Sequence, residues 1–166
     1  MRKIMFILLI FILTISCASA NKAFVGNNGE LFITDNGGKV LSHGLVAGAT
    51  GDYYFKDNVI IVGLKNKCFA YDISTGKPNM IYVLDAGMQY HMSAYRSLII
   101  ASGERVVRYN IKNIKKPVEV YDCLVTGKVY DIDKFSNSVY VIKTSNGYFY
   151  GMWVNNKRPA YSANKW

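Results

Sequence analysis

The stretch Val59-Ile60-Ile61-Val62-Gly63-Leu64-Lys65-Asn66-Lys67-Cys68-Phe69-Ala70-Tyr71-Asp72-Ile73-Ser74-Thr75-Gly76-Lys77-Pro78-Asn79-Met80-Ile81-Tyr82-Val83 contains the plan of the fold. Two short runs of β-branched and aromatic residues flank a polar turn, Lys65-Asn66-Lys67, and a basic turn ending in proline leads to a third run. Val, Ile, Tyr and Phe suit a pleated, half-buried surface, and polar turns between such runs predict antiparallel strands. No run carries its apolar residues at helical spacing.

The pattern recurs along the chain. Apolar runs also stand at Ala23-Phe24-Val25, Leu98-Ile99-Ile100-Ala101 and Val139-Tyr140-Val141-Ile142. With Lys22, Val59, Leu98 and Val139 as equivalent starts, the spacings are 37, 39 and 41 residues. A polar turn follows each run: Asn27-Asn28-Gly29, Lys65-Asn66-Lys67, Ser102-Gly103-Glu104 and Ser145-Asn146-Gly147. A second strand ends in each case at a basic turn: Gly38-Lys39, Gly76-Lys77-Pro78, Lys115-Lys116-Pro117 and Lys157-Arg158-Pro159. The first three repeats add a further strand, at Asp52–Phe55, Tyr90–Tyr95 and Lys128–Asp133.

Four antiparallel strands in about 40 residues is the size of a β-propeller blade. The expected architecture is therefore all-β, a propeller-like array of about four antiparallel four-stranded blades. The repeats lie near 22–58, 59–97, 98–138 and 139–166. If the innermost strand of each blade precedes the Val59-type strand, the first blade lacks one. A compact four-bladed ring, an open or incomplete ring, a fragment of a larger propeller and half of a ring completed by a second copy all remain. An open β-edge invites another strand, so a homodimer is among the expectations.

The segments Phe69-Ala70-Tyr71-Asp72-Ile73-Ser74 with Pro78, and Val107-Arg108-Tyr109-Asn110-Ile111 with Pro117, resemble the LVIVD-type β-propeller repeats of exported bacterial proteins. In the first repeat Thr34-Asp35-Asn36-Gly37-Gly38-Lys39 is similar to the Asp-box turn of other propellers, without its usual tryptophan. These resemblances imply a fold and no activity.

Composition agrees. Of 166 residues, 51% are hydrophobic and 19% charged, which excludes a disordered polyelectrolyte. Three cysteines are too few for a disulfide scaffold. Cys68 and Cys123 are read either as a disulfide or as two small buried hydrophobes.

Residues 1–20 read as a signal peptide ahead of a repeat domain at 21–166. Arg2 and Lys3 precede an apolar run from Ile4 to Leu13, and Ala18-Ser19-Ala20 supplies small residues for cleavage. The run is too short to span a bilayer, which takes about 18 apolar residues. Leu13-Thr14-Ile15-Ser16-Cys17 also resembles a bacterial lipobox, with Thr14 departing from the usual aliphatic residue, so Cys17 is a lipidation candidate. The expected location is the periplasm or cell surface, with membrane association only through that anchor.

The formal net charge is +9, and loss of Arg2 and Lys3 with the leader leaves +7. A basic surface suits an acidic protein or an anionic envelope polymer. Export argues against nucleic acid. Lys39, Lys77, Lys115, Lys116, Lys157 and Arg158 recur in equivalent turns, and equivalent turns of successive blades emerge on one face. These six residues are the candidate binding face.

Catalytic signatures are sparse. His43 and His91 are the two histidines, and no Cys-x-x-Cys, His-Glu-x-x-His, Gly-x-Ser-x-Gly or Walker loop occurs. No cofactor or metal is expected. The inner strands place Tyr53, His91, Asp131 and Asp133 as channel-lining candidates, with Asp131 and Asp133 on one strand face. The expected function is a non-catalytic exported binding module. The alternative is a small propeller hydrolase or lyase acting on a carbohydrate or lactone through those carboxylates and the imidazole.

Overall fold

The computed structural model describes residues 20–94, 96–136, 139–153 and 164–165. The expected signal segment up to Ser19, with Cys17, and the Lys157-Arg158 turn lie outside the described residues. The described chain is all-β. Sheet 1 comprises β1 (Lys22–Val25), β2 (Glu30–Thr34) and β3 (Val40–Leu45). Sheet 2 comprises β4 (Ala49–Lys56), β5 (Val59–Leu64), β6 (Cys68–Asp72) and β7 (Asn79–Leu84). Sheet 3 comprises β8 (Tyr90–Ala94), β9 (Ser97–Ser102), β10 (Arg105–Asn110) and β11 (Val118–Leu124). Sheet 4 comprises β12 (Val129–Lys134), β13 (Val139–Thr144), β14 (Tyr148–Trp153) and β15 (Asn164–Lys165). Strands within each sheet follow chain order and are antiparallel.

Each sheet after the first thus takes its first strand from the end of the preceding sequence repeat. Sheet 1 has no such strand among the described residues. Two register details differ from the sequence reading: β9 starts at Ser97, so Val59 aligns with Ser97 rather than Leu98, and Lys22 takes an exposed face where Val59 is buried. Tight hairpins make these ladders possible. Asp57 and Asn58 both take positive φ, 48° and 60°, the mirror-image turn that joins twisted strands in two residues.

Alternation along the strands sorts side chains into three hydrophobic clusters, one between each pair of successive sheets. Ala23, Val25, Leu31 and Ile33 meet Ile60, Val62 and Leu64 between sheets 1 and 2. Val59, Ile61, Cys68 and Ala70 meet Leu98, Ile100, Val107 and Tyr109 between sheets 2 and 3. Ile99, Ala101 and Val106 meet Tyr140, Ile142 and Tyr150 between sheets 3 and 4. Odd and even residues of β5 therefore serve different clusters, and the whole strand is buried. Cys68 and Cys123 belong to clusters on opposite sides of sheet 3, and both thiols are free. The disulfide alternative is excluded, and the small-hydrophobe alternative stands. Burial pushes the Cys68 thiol up to about 12 and the Cys123 thiol up to about 11, so neither ionises readily.

Candidate functional site: turn end and axial cavity

The turn end is built by short polar residues at the close of the second long strand in each repeat. Asp35 Oδ1 accepts a hydrogen bond from the Lys39 amide at 2.9 Å, Asp72 Oδ1 from the Ser74 amide at 2.9 Å, and Asn110 Oδ1 from the Lys112 amide at 2.9 Å. A side chain that bonds its own following backbone fixes a turn, so each of the three turns is braced locally. Asn113 Oδ1 repeats the device beneath Lys115, accepting from its amide at 3.1 Å.

These turns are neighbours in space. Asn21 Nδ2 donates to the Ile73 carbonyl at 2.6 Å and the Ser74 carbonyl at 3.2 Å, tying the start of sheet 1 to the β6–β7 turn. On the other side, Lys115 Nζ donates to Asp72 Oδ2, joining the β10–β11 turn to the same place. Lys39, Lys77, Lys115 and Lys116 are all exposed. Asp72 offsets Lys115, and no ion pair among the described residues engages Lys39, Lys77 or Lys116. The Lys115 ammonium and the Ser74 hydrogen bonds hold the Asp72 carboxyl down at about 2. Beside this end, between β7 and the β10–β11 turn, lies an open groove of about 300 Å³ lined by Tyr82, Leu84, Lys116 and Pro117.

The second feature, the axial cavity, is a wide-open depression of about 380 Å³ where β4, β8 and β12 converge. Thr50, Asp52, Gln89, His91 and Asp131 line it. Bulges aim two of these groups. The ladder between β4 and β5 jumps from Ala49 to Tyr53, across Gly51 at φ 88°, and the β12–β13 ladder shifts between Val129 and Asp131. Asp52 Oδ1 lies 2.7 Å from His91 Nδ1, with both side chains about a quarter exposed. The Tyr54 ring stands edge-on to the imidazole at 5.9 Å. Thr50 Oγ1 donates to the Met88 carbonyl at 2.6 Å, tying sheet 2 to the linker before sheet 3.

The four channel-lining candidates separate. His91 and Asp131 face this cavity. Asp133 is drawn with Asp131 into an ion cluster on Lys143, whose ammonium lies 2.8 Å from Asp131 Oδ2 and also contacts Asp133 Oδ2. Hydrogen bonds donated to both carboxylates raise the Lys143 pKa above its ordinary value. Tyr53 turns away: the bulge puts it opposite Val62, packed with Phe55 on the cluster between sheets 1 and 2. Its neighbour Asp52 takes the place expected for Tyr53. Sequence reasoning missed Asp52 and Lys143. Gly51 before Asp52, and a lysine ending the Val-Tyr-Val-Ile run, were the available signals.

Among the described residues, no hydroxyl or thiol is a hydrogen-bond partner of His91, and no group of three or more His, Cys, Asp or Glu is placed to hold a metal ion. An Asp-oriented imidazole can bind a polar ligand or shuttle a proton.

Neither a family model nor a curated protein matches the chain. Solved structures do. BamB from Moraxella catarrhalis aligns with a TM-score of 0.62 at 11% identity, over 88% of this chain and 46% of that one. Hsv2 of Kluyveromyces lactis aligns with a TM-score of 0.61 at 13% identity, over 86% and 48%. The computationally designed protein Ika4 aligns with a TM-score of 0.59 at 14% identity, over 82% and 86%. The chain spans about half the length of the BamB and Hsv2 chains it matches. With no family model behind it, the LVIVD-type repeat remains a resemblance of motifs. The structural likeness makes the fold of this chain propeller-like.

Proposed function

We propose that this chain is a non-catalytic exported binding module of a bacterial cell envelope. It docks an acidic protein or an anionic envelope polymer through the end that carries Lys39, Lys77, Lys115 and Lys116. The observation that carries this reading is the convergence of three basic turns at one end, where four exposed lysines outnumber the turn carboxylates Asp35 and Asp72 and only Lys115 is ion-paired among the described residues. Clustered like charge raises the local potential and draws anionic surfaces, with a reach of about 10 Å at 0.1 M salt. The leader-like N-terminus supports export, and Cys17 offers a lipid anchor. Lys157 and Arg158 are the corresponding basic residues in the sequence of the fourth repeat.

The test is binding of the full chain to immobilised poly-glutamate and to its own envelope extract. Reversal of Lys39, Lys77 and Lys116 to Glu should keep the β-type circular dichroism spectrum and abolish both interactions. Binding by the parent chain should weaken as salt rises. Unchanged binding by the reversed variant would overturn the reading. The Asp52–His91 pair favours a second reading, a hydrolase or lyase acting on a carbohydrate or lactone. Turnover of such a substrate that His91→Gln removes and the charge reversal spares would favour that enzyme instead.

A further inference from the structure

Every internal interface of the array has the same construction. Alternate residues on the second strand of one sheet point forward, and those of the next sheet point back to meet them. Ala23 and Val25 meet Ile60 and Val62; Val59 and Ile61 meet Leu98 and Ile100; Ile99 and Ala101 meet Tyr140 and Ile142. Two faces are left over: the backward face of sheet 1 and the forward face of sheet 4. No hydrophobic cluster joins sheet 4 to sheet 1 among the described residues.

Each leftover face mixes apolar and charged side chains. On sheet 1 it carries Phe24, 42% exposed, stacked on Phe32 at 5.0 Å between ring centroids, with Phe32 stacked on His43 at 6.0 Å. Leu45, cross-strand from Glu30 on that face, is 71% exposed. On sheet 4 it carries Val139 and Val141, the residues that alternate with buried Tyr140 and Ile142. A three-ring aromatic row on a solvent face is an interaction surface by its apolar content. The charges on the two faces differ in balance. Sheet 4 has two carboxylates, Asp131 and Asp133, on one lysine. Sheet 1 has Lys22 in register beside Phe24, and a Glu30–His43 pair at 2.8 Å.

We infer that two copies of this chain close one ring, the forward face of sheet 4 in each copy packing on the backward face of sheet 1 in the other. Phe24 and Phe32 then meet Val139 and Val141 as Leu98 and Ile100 meet Val59 and Ile61. The contact is heterologous, and such a contact yields a closed ring only when the rotation completes a circle. The match to 46% and 48% of two propeller chains provides that rotation, because this arc is about half of theirs. Ika4, matched over 86% of its length, is a chain of similar size carrying the same arc. The inference is independent of the binding role of the turn end.

The test pairs solution mass with cross-linking of the full chain. Light scattering should give twice the chain mass at micromolar concentration, and Phe24→Asp should return it to the single-chain mass with its β spectrum kept. Phe24→Cys combined with Val141→Cys, oxidised, should give covalent dimers that either single variant fails to give. A single-chain mass for the parent at all concentrations overturns the proposal. So does a cross-link within one chain, which means a closed four-sheet ring, or a covalent dimer from Phe24→Cys alone, which means two like faces in contact. A ladder of higher multimers means open filaments and also overturns it.

Discussion

β5 and β13 occupy the same position in their sheets and are buried differently. Every residue of β5 is buried, whereas β13 alternates between buried and half-buried. β9 behaves like β5, and β1 alternates between exposed and buried like β13. The cause is position along the arc. Sheets 2 and 3 each have a neighbour on both faces, so their second strands read as continuous apolar runs, Val-Ile-Ile-Val-Gly-Leu and Ser-Leu-Ile-Ile-Ala-Ser. Sheets 1 and 4 have one neighbour each. Their outward positions hold Phe24, Val139 and Val141 beside Lys22 and Lys143, a mixture in place of the wholly polar row that suits a strand permanently facing water. The difference separates stability, concentrated in the middle, from association at the ends.

The largest expected effect lies where the middle sheets meet. A Cβ added at Gly87 would fall 1.8 Å from the Lys65 carbonyl oxygen and 2.8 Å from Ser102 Cβ. Gly87→Ala should therefore cost more than about 4 kcal/mol, or prevent folding, in urea unfolding monitored by circular dichroism. Gly48, at the step from sheet 1 to sheet 2, has φ +79° and nothing nearer than Leu64 Cδ2 at 3.9 Å. Gly48→Ala should cost about 1–2 kcal/mol of backbone strain alone. Equal losses at the two glycines would break the comparison.

A smaller contrast separates two side chains. Ile100 is fully buried between sheets 2 and 3, and Ile100→Ala should cost about 2–5 kcal/mol through lost burial and the cavity left behind. Val141→Ala, at a half-buried end position, should cost under about 1 kcal/mol in dilute protein, where copies are apart. A larger loss for Val141 than for Ile100 would show that the ends are held within one chain.

The smallest effect is electrostatic. Asp72 titrates at about 2 in the folded chain, below its ordinary value of 3.8. A depressed carboxylate contributes stability that is complete above the unfolded pKa and is lost as pH falls from about 4 through 2. Because Lys115 is more than half exposed, the pair is worth at most about 1 kcal/mol. Lys115→Met should lower the unfolding midpoint slightly at pH 6 and by progressively less as pH falls from about 4 to 2. A deficit of the same size at pH 2 as at pH 6 would assign the effect to packing rather than charge.

Much of this architecture was legible in the residues, and the limits have physical causes. Apolar runs recurring every 37 to 41 residues, with turns of Asn, Gly and Lys, revealed the four sheets because strand and turn chemistry are local. The phase was legible too: with the innermost strand placed ahead of each Val59-type run, the first sheet should be one strand short, and it has three strands among the described residues. Asp52 was missed because the β4–β5 ladder takes four steps from Ala49 to Tyr53 against two from Leu64 to Val62, an irregularity across Gly51 that hides from the sequence which residues of this strand face sheet 3. The Lys143 cluster was missed because Asp131 and Lys143 meet only through cross-strand register. The separation of Cys68 from Cys123 depended on which face of sheet 3 each sulfur approaches, a property of the assembled array.

Hydrogen exchange on the full chain, followed by mass spectrometry at low and high protein concentration, tests most directly whether the middle sheets are complete and the end faces await a partner. The account predicts that β5 and β9 are the slowest to exchange at both concentrations. Protection of β1 and β13 should rise with concentration as copies close the ring. Protection of β1 and β13 equal to that of β5 and β9 at the lowest concentration, with no change on concentrating, would contradict it.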